Sequence, residues 1–81
     1  MPERRKVRNA PLRAIFAQRL REAIKEAGID DLTMRDQCEV LDVPLSTWIE
    51  TLNGRRMPTV ERVVEYADKL GVKIAFLMGE D

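Results

Sequence analysis

The chain has 81 residues, 44% of them hydrophobic and 35% charged, which is enough for one small domain with a single core. Fourteen basic and fourteen acidic side chains cancel, which disfavours a protein that binds nucleic acid through net charge alone. One cysteine excludes an intrachain disulfide, and the absence of histidine removes the usual zinc sites and histidine-activated nucleophiles, so we expect no enzyme and no metal or other cofactor.

The charges are segregated along the chain, although their sum is zero. Residues 1–25 carry a net charge of plus six, residues 26–53 of minus six and residues 54–63 of plus two. The basic clusters are Arg4, Arg5, Lys6, Arg8 and Arg13 near the N-terminus, and Arg55 and Arg56 further on. Residues 1–10 are predicted to form a flexible basic arm, which is either a solvated tail or a segment that contacts phosphates.

A first helix is predicted from Pro11, because proline suits the first turn of a helix and apolar residues then recur at helical spacing. The apolar stripe, which we expect to be core, consists of Leu12, Ile15, Phe16, Leu20, Ala23, Ile24 and Ala27. Gly28 is placed to end this helix in the left-handed conformation.

A second, short helix is predicted from Thr33, whose hydroxyl can cap it with Asp36 three positions later as the reciprocal partner. Cys38 and Leu41 form its apolar pair. The chain must then turn at residues 42–44, Asp-Val-Pro, because aspartate tolerates a left-handed conformation and proline interrupts helical hydrogen bonding.

A third helix, Leu45 to Leu52, follows at once and ends at Asn53-Gly54. Its apolar residues lie at i, i+3, i+4 and i+7, and are Leu45, Trp48, Ile49 and Leu52. The other side carries Ser46, Thr47, Glu50 and Asn53. Two helices this short cannot bury their apolar faces alone, so this corner requires other helices to pack against it.

Two more helices complete the pattern. Thr59 can cap the fourth, and Gly71 followed by Val72 marks its end. Its expected core residues are Val60, Val63, Val64, Ala67 and Leu70. The short apolar segment of residues 74–78, IAFLM, forms the fifth. The predicted fold class is therefore all-α, a compact bundle of five helices after the arm.

None of these apolar segments is long enough to cross a bilayer or to act as a signal peptide. We therefore expect a cytoplasmic protein with no membrane partner. No sequence feature points to a small-molecule ligand.

The spacing of several segments resembles a known family. They are Leu41-Asp42-Val43-Pro44, Ser46-Thr47-Trp48, Leu52-Asn53-Gly54-Arg55-Arg56 and Pro58-Thr59, followed by VERVVEYADKLGV and IAFLMGE. This order is similar to the helix-turn-helix of phage-repressor-like, or XRE-type (lambda-repressor-like), DNA-binding domains, over about Phe16 to Glu80. The resemblance implies a helix-turn-helix domain over residues 11–81 that binds double-stranded operator DNA.

The resemblance also implies a set of site residues, because this motif places one helix in the major groove and surrounds it with phosphate contacts. The implied base contacts are Leu45, Ser46, Thr47, Ile49 and Glu50. The implied DNA-backbone contacts are Thr33, Met34, Arg35, Asn53, Arg55 and Arg56, with Arg4, Arg5 and Lys6 of the arm. Four residues depart from the family pattern: Gln37 and Thr51 replace apolar residues, Asp42 a turn glycine and Pro44 a capping Ser or Thr.

The third helix has two conflicting interpretations. Its periodicity places Leu45 and Ile49 in one apolar stripe with Trp48, whereas the family register buries only Trp48 and turns the other two toward DNA. In the second case Leu45 and Ile49 would meet thymine methyl groups, and Glu50 would accept a hydrogen bond from a cytosine amino group. Ser46 and Glu50 are expected to be exposed under either interpretation.

The family often dimerises through its last helix, which implies a homodimer on a palindromic operator. Ile74 and Leu77 fit the inward positions, which leaves Phe76 and Met78 facing outward as a dimer interface. Alternatively, both side chains fold back over the first helix.

Two functions of different classes follow. The first is a transcriptional repressor of the phage or prophage type that blocks polymerase by occupying its operator. The second keeps the same fold as a protein-interaction module, antitoxin-like or polymerase-binding, which uses the apolar face of Leu45 and Ile49 and the acidic second helix.

Overall fold

Residues 11–80 are described by a computed structural model, and helix is their only regular secondary structure. The five helices are α1 (Leu12–Glu26), α2 (Met34–Leu41), α3 (Leu45–Leu52), α4 (Val60–Leu70) and α5 (Ile74–Leu77). The described part of the chain contains no strand. The predicted all-α class and the number of helices are therefore confirmed. The basic arm, including Arg4, Arg5 and Lys6, lies outside the described residues.

The core face of α1 lies around the middle of that helix. Its buried residues are Phe16, Ala17, Leu20, Ala23 and Ile24. The prediction was wrong at the two ends of the stripe, because Leu12 is 45% exposed and Ala27 is exposed. The helices that pack on α1 are α3 and α5, and its buried residues all lie between 16 and 24.

The corner between α2 and α3 is built by local hydrogen bonds. The hydroxyl of Thr33 accepts a hydrogen bond from the backbone N–H of Asp36 at 3.1 Å, so the predicted hydroxyl cap is confirmed, whereas the expected return bond from the Asp36 side chain is not formed within residues 11–80. Asp42 adopts the left-handed conformation, with φ 57° and ψ 56°, as the turn requires. The guanidinium of Arg62 donates to the carbonyl oxygen of Asp42 at 2.7 Å. This bond joins α4 to the turn between α2 and α3.

The centre of the bundle contains a polar bond as well as apolar side chains. The indole Nε1 of Trp48, which is fully buried, donates to Oε1 of Gln37 at 3.0 Å. The Gln37 side-chain nitrogen donates in turn to the carbonyl oxygen of Ile29 at 3.0 Å. Thr51, also fully buried, donates its hydroxyl to the carbonyl oxygen of Thr47 at 2.8 Å. Both polar departures from the family pattern are therefore buried with partners.

The fourth helix buries a different set of residues from the predicted one. Its buried stripe is Val63, Tyr66, Ala67 and Leu70. Val60 and Val64 are 79% and 45% exposed, so their assignment to the core was wrong. The ring of Tyr66 packs edge-on against Trp48, with centroids 5.5 Å apart. Val60 lies on the same face as Val63 but at the start of the helix, before the first buried residue, and Val64 lies at the edge of the buried stripe.

The hydroxyl of Tyr66 is a polar group in the core of the bundle. It is buried and has no hydrogen-bond partner within residues 11–80, and burial raises the pKa of this phenol. Because an unpaired buried hydroxyl costs free energy, Tyr66→Phe should raise the free energy of unfolding by about 1 kcal/mol at neutral pH. A urea titration measures this gain.

The pH dependence of the free energy of unfolding is a second measurement that compares the parent chain with Tyr66→Phe. A tyrosine whose pKa is raised in the folded state keeps its full contribution to stability below its unfolded pKa, about 10, and loses it as the pH rises further. The advantage of Tyr66→Phe should therefore grow above that pH. A loss of stability in the variant at neutral pH would show that the hydroxyl is paired.

The last helix packs on α1, and the predicted orientation of its side chains was only partly right. Leu77 is fully buried as expected, whereas Ile74 is 44% exposed. Phe76 and Met78 are half-buried and pack against the core instead of facing outward. The guanidinium carbon of Arg19 lies 4.9 Å from the centroid of the Phe76 ring. The alternative, in which these residues fold back toward the first helix, describes α5 better.

The helices within residues 11–80 are all too short or too polar to span a membrane.

Candidate nucleic-acid interface

The exposed face of α3 carries four residues at i, i+3, i+4 and i+7. They are Ser46, Ile49, Glu50 and Asn53, and all four are exposed. Leu45 and Thr47 are half-buried, and Leu45 packs against the core. Each of the two interpretations of this helix is therefore correct for one residue. Leu45 packs inward, as the apolar periodicity predicted, whereas Ile49 is exposed, as the family register predicted. The expected exposure of Ser46 and Glu50 is confirmed.

Two of the candidate DNA contacts form an ion pair. The Nε of Arg56 lies 3.0 Å from Oε1 of Glu50, and both side chains are about half exposed. The loop that joins them is fixed by backbone hydrogen bonds, since the N–H of Arg55 donates to the carbonyl oxygen of Glu50 at 3.0 Å. Gly54 adopts a φ of +74° within this turn. The acidic side chain of α3 thus has its charge compensated by a neighbouring cation.

Arg21 of α1 caps the C-terminus of α3. Its Nε and Nη2 donate to the carbonyl oxygen of Leu52 at 3.1 and 2.7 Å, and Nη2 lies 3.5 Å from Oδ1 of Asn53. Sequence reasoning missed this residue, because it treated α1 only as a source of core residues. The available signal was its place among the basic side chains of residues 1–25, off the apolar stripe.

The cap formed by Arg21 predicts a loss of stability when it is removed. Arg21→Ala should lower the free energy of unfolding by about 1 kcal/mol, because the last carbonyl groups of α3 lose a charged donor. Lys25→Ala is the matched control, since it removes one positive charge from the same helix, and it should change stability by less than about 0.5 kcal/mol. Equal effects of the two variants in urea denaturation would contradict the cap.

Two of the predicted backbone contacts, Met34 and Asn53, lie beside Arg21. Met34, at the start of α2, lines one open depression together with Arg21 and Leu52. Asn53 and Gly54 line the adjacent depression with Arg21 and the first half of α1. Thr33, Arg35, Arg55 and Arg56 are exposed. The N-terminus of α2, the C-terminus of α3 and a basic side chain of α1 therefore share one continuous surface.

The N-terminal end of α1 lies beside the loop after α3. A Cβ built on Gly54 would lie 3.5 Å from Cα of Ala14 and 3.8 Å from the carbonyl oxygen of Arg13. The described chain begins at Pro11, less than one turn before these atoms. The sequence of the basic arm is therefore joined to the bundle next to the loop that carries Arg55 and Arg56.

The thiol of Cys38 is not set up as a nucleophile. Burial raises the pKa of this thiol, an effect that the nearby Arg35 opposes in part. A raised pKa leaves less of the reactive thiolate near neutral pH.

No family model, curated protein or solved structure matches this chain.

Proposed function

We propose that this protein is a sequence-specific DNA-binding transcriptional regulator, acting in the cytoplasm as a repressor of the phage or prophage type. The observation that carries the proposal is the exposed face of α3, Ser46–Ile49–Glu50–Asn53, which meets basic side chains at its C-terminal end. An α-helix with its side chains is about 10 to 12 Å in diameter, which fits the width of about 12 Å of the major groove of B-DNA. The opposite face of the same helix, with Trp48, Thr51 and Leu52, packs in the bundle.

In this proposal the contacts divide into two classes. Ser46, Thr47 and Ile49 of α3 meet base edges, with Ile49 placed for a thymine methyl group. Leu45 contributes only its exposed edge, because it packs against the core. The phosphates are bound by side chains and backbone around the rim, which are Thr33, Met34, Arg35, Asn53 and Arg55, by Arg21, and by Arg4, Arg5 and Lys6 of the arm.

The salt dependence of binding to duplex DNA tests this proposal. Six charged side chains, the three of the arm with Arg21, Arg35 and Arg55, would give a slope of about −5.4 in log K against log salt, at about 0.9 per phosphate contact. Fluorescence anisotropy of a labelled duplex measures this slope. Lys69→Gln, on α4, is the control that removes a positive charge away from this surface and should leave the slope unchanged. Binding without salt dependence would contradict the proposal.

A protein-interaction module is the second candidate function. Ile49 and Met34 are 40% and 44% exposed on the same surface, and residues 26–53 carry a net charge of minus six. These features suit a basic protein partner with an apolar contact. The same experiment separates the two functions, because release of condensed counterions accompanies only the binding of nucleic acid.

We further propose a homodimer through α5. Ile74 is 44% exposed, and the half-exposed edges of Phe76 and Met78 lie on the same short helix. A two-fold axis at this helix would pair two reading helices on a palindromic operator, with their centres about 34 Å apart, one turn of DNA.

The exposure of Ile74 allows a test of this dimer that spares the core. Ile74→Glu should give a folded monomer in sedimentation velocity, because a charge at the centre of the interface would be buried without a partner. Phe76→Glu is less informative, since Phe76 also packs on the core. Val60→Glu is the control, because Val60 is 79% exposed on α4 and should leave the dimer intact. A dimeric Ile74→Glu protein would place the interface elsewhere.

A further inference from the structure

We propose that Glu50 is a positioning residue that orients Arg56 to bind a guanine base in each half-site. The inference rests on the proposed function and assigns new roles to both side chains. Sequence reasoning gave Glu50 a base contact and Arg56 a phosphate contact. The two side chains form an ion pair, with 3.0 Å between Nε of Arg56 and Oε1 of Glu50. This pairing favours a single unit in which Glu50 orients the guanidinium and Arg56 contacts the base.

The geometry of the guanidinium group leads to this assignment. Glu50 occupies the Nε side of Arg56, and no other hydrogen bond joins the Arg56 side chain to residues 11–80. The edge formed by Nη1 and Nη2 is left available, with donors in a fixed fork. Such a fork matches the O6 and N7 acceptors of guanine in the major groove, which is the commonest specific contact of arginine with DNA.

The backbone fixes the two residues relative to each other. Glu50 lies in the last turn of α3, and Arg56 lies just beyond the turn that ends the helix. This turn is closed by hydrogen bonds from the N–H of Asn53 to the carbonyl oxygen of Ile49 at 3.0 Å and from that of Gly54 to Thr51 at 3.2 Å. An arginine held in this way loses less side-chain entropy on binding than a free one.

The charges of the pair favour base recognition over phosphate binding. A carboxylate beside the guanidinium reduces the net charge that attracts phosphates, while the donors on the outer edge keep their direction. The pair also removes a difficulty with an acidic residue on α3, because a compensated Glu50 does not repel the DNA backbone. An unpaired glutamate at the same place would oppose binding to any sequence.

The proposal predicts opposite effects on specificity and on general affinity. Arg56→Ala should lower the preference for guanine at one base pair of each half-site by roughly tenfold to a hundredfold, the range for a bidentate contact. Glu50→Gln should lower the same preference several-fold. It should also strengthen binding to unrelated duplexes and steepen the salt slope by about 0.9, because Arg56 then has an uncompensated charge. A role of Glu50 in stability alone would move neither quantity.

The matched control is Glu65→Gln. Glu65 is another exposed carboxylate beside an arginine, with Oε1 3.5 Å from Nη1 of Arg62, but it lies on α4. Its replacement should leave the base preference unchanged. Urea denaturation of Glu50→Gln should show nearly the parent stability, because exposed ion pairs contribute little.

The experiment measures the affinity of each variant for four duplexes that differ only at the base pair in question, within a site selected by the parent chain. The expected result is that the effects of Glu50→Gln and Arg56→Ala on guanine preference are not additive, since both act on one contact. Additive effects, or a guanine preference that survives Arg56→Ala, would overturn this inference alone. If the parent selects no duplex, the proposed function fails and the inference fails with it.

Discussion

Replacing Gln37 by leucine is expected to lower the free energy of unfolding by about 3 kcal/mol, although leucine is the residue that the family pattern favours there. The change leaves the fully buried Nε1 of Trp48 without its acceptor at 3.0 Å. It also removes the donor to the carbonyl oxygens of Ile29 and Leu32. An unsatisfied buried donor costs about 1 to 3 kcal/mol, and the carbonyl oxygen of Leu32 adds to this, whereas that of Ile29 keeps its bond from the N–H of Leu32 at 3.1 Å. For a domain of this size the melting temperature should fall by more than about 10 °C.

A double-mutant cycle with Trp48→Phe separates the lost hydrogen bond from other effects of the leucine. Phenylalanine has no donor at this place, so Gln37→Leu in the Trp48→Phe background should cost about 1 to 2 kcal/mol less than in the parent. The cavity left by the smaller ring is present both in Trp48→Phe alone and in the double variant, so its free-energy cost cancels in the difference between them. Additive costs in thermal unfolding would show that the buried bond contributes nothing.

Removing residues 1–8 is expected to weaken DNA binding strongly while the bundle stays folded. If Arg4, Arg5 and Lys6 each neutralise one phosphate, the salt slope should become shallower by about 2.7. When the salt concentration rises from about 50 to 200 mM, the factor by which the affinity falls should then be roughly 40 times smaller for the truncated chain than for the parent. The basis is the position of Pro11, where the arm joins the bundle close to the loop after α3. Circular dichroism of the truncated chain checks its folding.

A charge-matched pair of variants tests the arm more directly than truncation. The triple change Arg4→Gln, Arg5→Gln and Lys6→Gln should reproduce the shallower slope. The change of Lys69 and Lys73 to glutamine, on α4 and just before α5, removes positive charge elsewhere and should leave the slope as in the parent. Equal slopes for the triple variant and the parent would show that the arm is a solvated tail.

The boundaries of the helices were predictable because short-range rules set them. Thr33 and Thr59 cap α2 and α4 through hydrogen bonds to backbone N–H groups three positions later. Asp42 and Gly71 end these helices with positive φ. In each case the determining contacts lie within a few residues, so composition and spacing were sufficient.

The rotation of each helix was less predictable, because it depends on which partner covers it. Val63 and Val64 are equally apolar neighbours, and packing of α4 on its partners, such as Tyr66 on Trp48, leaves Val63 buried and Val64 45% exposed. The candidate site shows the same limit. The hydrogen bond from Arg21 to the carbonyl oxygen of Leu52 joins residues 31 apart in sequence, so no local sequence pattern predicts it. The pairing of Glu50 with Arg56 depends on the conformation of the turn at Gly54. The periodicity of α3 predicts the position of this turn but not the direction of the chain after it.

Selection of bound duplexes from a random pool tests the central claim, that the exposed face of α3 reads DNA sequence. The account predicts enrichment of a palindrome whose half-sites are about one helical turn apart, with a guanine in each half-site whose preference is lost in Arg56→Ala. Ser46→Ala, on the same face of α3, should change the preferred base at another position of each half-site. A pool that yields no enriched duplex, or sites that are the same for the parent and both variants, would contradict the account.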